Sequence, residues 1–208
     1  MRKLAKRFLR QALNPVVNFR SGSDRTFLTF DDGPHPQRTP AVLDQLEKHG
    51  VKATFFMIGA EAEKYPEIAR RVVSAGHTIG YHSHNHPHMR SLSVARQFEE
   101  LRGVNQLSQL LGRRVSLYRP PYGELTIPQL GWCLIHGLRV VMWSIETGDS
   151  FAHSADEVAK RMKTTSVQHG DIVLLHDDTA SAIESLPLIL GNLQNAGLVL
   201  DRLPERRY

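Results

Sequence analysis

With 208 residues, 41% hydrophobic and 23% charged, the chain suits one globular domain, long enough to bury a core without disulfide staples. Its single cysteine, Cys133, excludes an internal disulfide and lies among apolar neighbours, as a core residue does and a nucleophile does not. The net charge of +5 sits at one end, where residues 1–25 carry Arg2, Lys3, Lys6, Arg7, Arg10, Arg20 and Arg25 against Asp24 alone; the near-neutral remainder argues against a nucleic-acid partner.

Residues 2–13 predict an amphipathic helix. Leu4, Ala5, Phe8, Leu9, Ala12 and Leu13 follow helical spacing, Lys3, Lys6, Arg7 and Arg10 fill the remaining surface, and Asn14-Pro15 ends it. Two readings stay open, a helix packed on the body or peripheral membrane contact with an anionic surface. No apolar run approaches the ~20 residues of a membrane span. Arg7 and Arg10 interrupt any signal-peptide core, so a cytoplasmic location is expected, at the inner membrane surface if the helix binds there.

From residue 25 strands and helices alternate. Strands are expected at Arg25–Phe30, Val51–Ile58, His77–Tyr81, Ser116–Arg119, Leu138–Ile145, Asp171–Leu175 and Leu198–Arg202. Between them fall helices at Thr39–His49, Tyr65–Ala75, Val94–Leu111, Ile127–His136, Ala155–Thr164 and Ile183–Ala196, several stopped by a glycine. Such alternation makes a parallel sheet, open or closed. Asp31-Asp32, His82–His86, Arg119–Tyr122, Glu146–Asp149 and His176-Asp177 each follow a strand, and a (β/α) barrel would gather all of these clusters on one face.

The chemistry starts with His82 and His86. One helical turn or a tight turn would bring both imidazoles to one ion, and Pro87 disfavours the helix. His77, His82, His84, His86 and His88 crowd this stretch, and His84 is the rival ligand. A catalytic metal site needs a third protein ligand and an open position. Asp31-Asp32-Gly33-Pro34 offers it: adjacent carboxylates repel, so the pair points to a cation, with one aspartate binding it and the other taking a proton from water.

Thr29-Phe30-Asp31-Asp32-Gly33-Pro34 resembles the first signature of the polysaccharide deacetylases, the NodB-homology or carbohydrate esterase family 4 enzymes. His82-Ser83-His84-Asn85-His86-Pro87 is similar to the second, Arg119-Pro120-Pro121-Tyr122-Gly123 to the third, and Leu174-Leu175-His176-Asp177 to the fifth. The order and spacing agree over roughly residues 25 to 202. The resemblance implies a deformed (β/α)₇ barrel. It implies Asp32, His82 and His86 as metal ligands and Asp31 as the base. Arg119 would hold Asp31 ionised, and Asp149 would orient His176, which protonates the leaving group. On the substrate side it implies the Tyr122 N–H as an oxyanion donor and Leu174 against the acetyl methyl group, with Pro120 and Trp143 lining the groove.

The fourth signature departs from the family. In Trp143-Ser144-Ile145-Glu146-Thr147-Gly148-Asp149-Ser150, Glu146 replaces an aspartate and Ser150 the groove tryptophan, a loss that Phe151 or Trp143 would make good. Together these features predict a basic N-terminal helix and linker over 1–24 and a catalytic domain over 25–208. The activity expected is metal-dependent N-deacetylation of an amino sugar in an acetylated glycan, releasing acetate. Zn²⁺ is the default ion, and the same donors accept Co²⁺ or Ni²⁺. The rivals are an O-acetyl esterase, a deacylase of a lipid-linked sugar, and an inactive glycan-binding protein on the same fold.

Overall fold

A computed structural model describes residues 17–205 of the chain. The amphipathic helix expected over residues 2–13, and any membrane contact through it, lies outside them.

Period-two alternation sorts each strand into an outward and an inward face. In β2 (Thr26–Asp31), Leu28 and Phe30 join the large core shared with the helices, while Phe27 joins a second cluster on the barrel axis. In β3 (Thr54–Met57), Phe55 and Met57 face outward and Phe56 inward; in β4 (Thr78–Tyr81), Ile79 and Tyr81 face outward. Gly80 faces inward, where a Cβ would lie 2.3 Å from the Phe56 ring, so the axis has room for one large side chain at that level.

All pairings between the strands of the sheet are parallel. Its order is β1 (Val17–Asn18), β6 (Arg139–Val141), β5 (Leu117–Tyr118), β4, β3, β2, β8 (Ile172–His176) and β7 (Ile145–Glu146), and β9 (Leu200–Asp201) pairs with the start of β2. It curls so that Phe27, Phe56, Leu117, Val141 and Ile172 meet Leu203 inside. Leu203 stops the N-terminal end of the barrel: its N–H donates to Thr54 Oγ1 at 2.8 Å, and Thr78 Oγ1 donates to its carbonyl at 2.9 Å. The C-terminal strand ends are left for the site. This curled sheet wrapped by helices is the deformed barrel expected.

The helices are α1 (Arg38–Lys48), α2 (Gly59–Lys64), α3 (Pro66–Ser74), α4 (Val94–Leu110), α5 (Ile127–Ile135), α6 (Ala155–Thr164) and α7 (Ala180–Asn195). In α1 the buried Thr39, Val42, Leu43 and Leu46 form the expected apolar stripe. Side-chain oxygens of Ser93, Thr126, Ser154 and Thr179 cap α4, α5, α6 and α7. The Thr179 cap starts α7 three residues before the expected Ile183.

Two expectations are corrected. The single strand over Leu138–Ile145 is two, β6 and β7, with Met142 to Ser144 crossing between sheet edges. The Met142 N–H donates to Asn18 on one side and the Ser144 N–H to Ile172 on the other. An apolar run looks continuous even where its hydrogen-bond partner changes. Helix α2 was not expected, because six residues are too few to show a period.

Candidate active site

Left-handed backbone collects at one end of the barrel. Among the described residues the non-glycine positions of positive φ are Asp32 (77°), Ser83 (68°), His86 (54°) and Tyr122 (55°). Each follows a strand, and such conformations, costing about 1–3 kcal/mol each, persist where the surroundings enforce them. The segment from His82 to His86 is therefore a tight turn and not a helix.

That turn directs two imidazoles at Asp32. Asp32 Oδ1 lies 3.4 Å from His82 Nε2 and 3.2 Å from His86 Nε2, and the three ligand atoms all fall within 4.8 Å of one another. His82 Nδ1 lies 2.8 Å from the Arg119 carbonyl, which only accepts, so the ring proton is on Nδ1 and Nε2 presents a lone pair. Burial pushes His82 down to about 3, against the pull of Asp32, so the ring is neutral and its contacts with carboxylates are not ion pairs. Asp32 Oδ1 is buried with no hydrogen-bond partner among the described residues. A carboxylate oxygen facing the His82 lone pair is repulsive unless a cation lies between them, so the donor set fits a divalent ion. His84, the rival ligand, points elsewhere, its Nδ1 lying 2.7 Å from where a Cβ on Gly59 would be.

Beside this trio Arg119 is fully buried with every arm engaged. Nη1 donates to Asp31 Oδ1 at 2.7 Å and to Thr29 Oγ1 at 2.8 Å, Nη2 to the Met142 carbonyl at 3.0 Å and Nε to the Val141 carbonyl at 3.3 Å. The guanidinium carbon stands 4.1 Å over the Phe56 ring. Burial raises the Asp31 carboxyl above its ordinary range, opposed first by Arg119 and then by His176 and His86. Burial lowers the Arg119 pKa, with Asp31 opposing, from a starting value so high that it stays charged. Asp31 Oδ2 lies 3.6 Å from His82 Nε2, beside the trio and outside its ligand set.

On the neighbouring strand β8, His176 is in register with Asp31. Its backbone N–H donates to Asp149 Oδ2 at 2.8 Å, and its Nδ1 lies 3.1 Å from Asp149 Oδ1, leaving Nε2 free of that pair. Thr147 and Thr179 hydroxyls also donate to Asp149, at 2.5 and 3.3 Å. Burial works to lower the His176 pKa, but the hydrogen bond and charge of Asp149, with Asp31 and Asp32 behind it, push it up to about 9. Burial raises Asp149, and its bonds to His176 outweigh this and hold the carboxyl low.

The rim is less ordered by contacts. The exposed Tyr122 ring stacks on His88 (3.9 Å between centroids, 13°) and lies 4.6 Å from His86. Its turn bonds from Gly123 to Pro120 and from Glu124 to Pro121, which leaves the Tyr122 N–H outside those bonds. Pro120 is buried beneath, and Leu174 is buried on β8 opposite Thr29. Trp143 packs on the axial cluster, 5.6 Å from the Arg119 guanidinium, and its ring edge stands 3.2 Å from a would-be Cβ on Gly123. Glu146, Ser150 and Phe151 are exposed, with Arg161 lying 5.3 Å from the Phe151 ring. Sequence reasoning missed Asp177. Burial first, with the charges of Asp178 and Asp32, pushes its carboxyl up to about 7 against the Thr39 hydrogen bond. Its place beside His176 in the fifth motif was the available signal.

The model for the polysaccharide deacetylase family matches residues 20–130, and the chain belongs to that family. It is 35% identical over 183 residues to a peptidoglycan-N-acetylglucosamine deacetylase of Bacillus cereus, covering 86% of this chain and 66% of that protein, just under two thirds of its length. It is 33% identical over 204 residues to a chitooligosaccharide deacetylase of Bradyrhizobium, covering 89% of this chain and 91% of the relative. A crystal structure of the peptidoglycan N-acetylglucosamine deacetylase Bc1960, in complex with 4-naphthalen-1-yl-N-oxidanyl-benzamide, superposes with a TM-score of 0.84 at 32% identity, covering 91% of this chain and 94% of that one.

Proposed function

We propose that this protein is a divalent-metal-dependent deacetylase that removes the acetyl group from the nitrogen of N-acetylglucosamine in a glycan, releasing acetate. The observation that carries the reading is the trio of Asp32, His82 and His86 set beside the Arg119-fixed carboxylate of Asp31 and facing the Asp149-held imidazole of His176. The names of the relatives from Bacillus cereus and Bradyrhizobium support the sugar and the bond. A divalent ion held by Asp32, His82 and His86 supplies Lewis acidity, polarising the acetyl carbonyl and bringing the pKa of water to ~7. Zn²⁺ is the ion we favour, and the same donors accept Co²⁺ or Ni²⁺.

This chain's own groups do the rest. Asp31 takes a proton from the attacking water. Arg119 fixes the Asp31 carboxylate in place. The Tyr122 N–H donates to the oxygen that gains charge as water adds to the carbonyl. His176, protonated below about 9, delivers a proton from Nε2 to the nitrogen as the carbon–nitrogen bond breaks. The products are acetate and a free amino sugar. Leu174 lines the space for the acetyl methyl group, and Trp143 and Pro120 line the groove.

Acetate release from acetylated glucosamine oligomers tests this, run beside ester-linked and lipid-linked acyl sugars. The expected result is release from the amide substrate, abolished by a chelator and restored by Zn²⁺. Chelator-resistant release, or release from the ester alone, would overturn it.

A further inference from the structure

Between its two histidines the candidate metal turn has a backbone that little in its sequence favours, since Ser83 and His86 both sit in the left-handed region. Ser83 Oγ accepts the His86 N–H at 3.0 Å and closes the turn from within. Two further N–H groups of the turn leave it for a single carboxylate. His84 and Asn85 donate from their backbones to Glu100 Oε2 at 3.0 and 2.8 Å, and Asn85 Nδ2 donates to Glu100 Oε1 at 2.7 Å. Glu100 stands on α4, and its own carbonyl takes the Tyr81 hydroxyl at 2.6 Å, which ties that helix turn to the end of β4. From the opposite side the Gly59 and Ala60 N–H groups at the start of α2 donate to the Ser83 and His84 carbonyls at 2.9 and 3.0 Å. The His84 ring fits beside two glycines: a Cβ on Gly59 would lie 2.7 Å from its Nδ1, and one on Gly103 3.2 Å.

We infer that Glu100 is a positioning residue for the metal site. It fixes the turn so that His82 and His86 meet Asp32, and thereby sets the affinity for the ion. Three charge-assisted bonds from one carboxylate hold the turn more tightly than neutral acceptors would. Groups that orient metal ligands from behind are worth about 10–100-fold in metal affinity. The inference rests on the reading of Asp32, His82 and His86 as the ligands.

Competition between the full chain and a chromophoric chelator for Zn²⁺ tests it without a substrate. Glu100→Ala is expected to weaken Zn²⁺ binding about 10–100-fold, and Asn85→Ala, which removes one bond of the three, by less. Glu99→Ala, a change at the exposed neighbour paired with Arg96, is expected to bind as the parent does. Melting of the metal-free proteins separates the roles, because a residue needed only for folding lowers the melting temperature and leaves the affinity of the folded protein unchanged. A folded Glu100→Ala protein with the parent's affinity overturns the inference. Should Glu100→Ala not fold, parent-like affinity in both Glu100→Gln and Asn85→Ala overturns it equally. Failure of the parent chain to bind Zn²⁺ would overturn the site reading along with it, whereas an unchanged Glu100→Ala affinity overturns this inference alone.

Discussion

The ends of β2, β4 and β5 contrast with the ends of β7 and β8. On the first side Asp31, His82 and Arg119 are buried, every arm of Arg119 has a partner, and Asp32 and His86 are half-buried at the mouth. On the second side the buried Asp149 holds the partly buried His176, and Glu146, Ser150 and Phe151 around them are open to solvent. A buried charge must be paired, so one change on the first side disturbs its partners. An exposed rim tolerates change, and there the sequence motifs resemble the family's least. On the proposed function, the buried side would set the bond to be cut and the exposed side the choice of glycan.

The largest effects are expected on the buried side. Asp31→Asn removes the proposed base and keeps the shape, and should lower kcat about 10²–10⁴-fold while Zn²⁺ stays bound. Acetate release and metal content measured on the same sample check both halves, and near-parent turnover would assign the base elsewhere. Arg119→Met strands the Asp31 carboxylate in the interior and should cost about 3–5 kcal/mol of folding stability. Denaturant melts read this, and the double variant Arg119→Met/Asp31→Asn should recover much of it. A loss under about 1 kcal/mol in the single variant would mean that the pair behaves as an exposed one.

The same contrast decides what could be read before the fold was known. The proposed metal ligands, the proposed base and His176 lie in short motifs at strand ends, where residue type and spacing speak directly. Helix α1 was equally legible, because Thr39, Val42, Leu43 and Leu46 repeat at helical intervals. The division of Leu138–Ile145 into two strands was hidden, since nothing in the sequence marks where Met142 turns from one sheet edge to the other. His84 could not be set aside, because what excludes it is the space beside Gly59 and Gly103, which are far apart in the chain. Glu100 stayed invisible for a like reason. It has no motif of its own and matters only through backbone groups that α4 brings near.

A smaller effect is expected in pH dependence on the open side. With His176 at about 9, kcat should hold through neutral pH and fall as pH rises past about 9, when the proton needed by the leaving amine is lost. Asp149→Asn removes the main support of that proton and should move the alkaline limb down towards ~6.5. Stability follows the same group. Its folded pKa lies above the unfolded value, so its contribution is complete below ~6.5 and is lost as pH rises through about 9. An alkaline limb that does not move in Asp149→Asn would show that another group donates the proton.

The smallest effect separates Trp143 from Phe151, the two aromatics nearest the missing groove tryptophan. Trp143 packs on the axial cluster beside Arg119, so its loss disturbs the barrel as well as the groove. Phe151 is 55% exposed, and the described contact to its ring is Arg161. If Phe151 serves as a sugar platform, Phe151→Ala should raise KM for long oligomers and leave kcat and melting temperature unchanged. A contact worth about 1 kcal/mol corresponds to roughly a fivefold rise. Ser150→Trp should lower KM over a similar range by adding a ring where the resemblance leads one to expect it. Steady-state kinetics across oligomer lengths read both changes. If neither variant alters KM at any length, the groove runs past Trp143 instead, and the open side governs access without gripping the sugar.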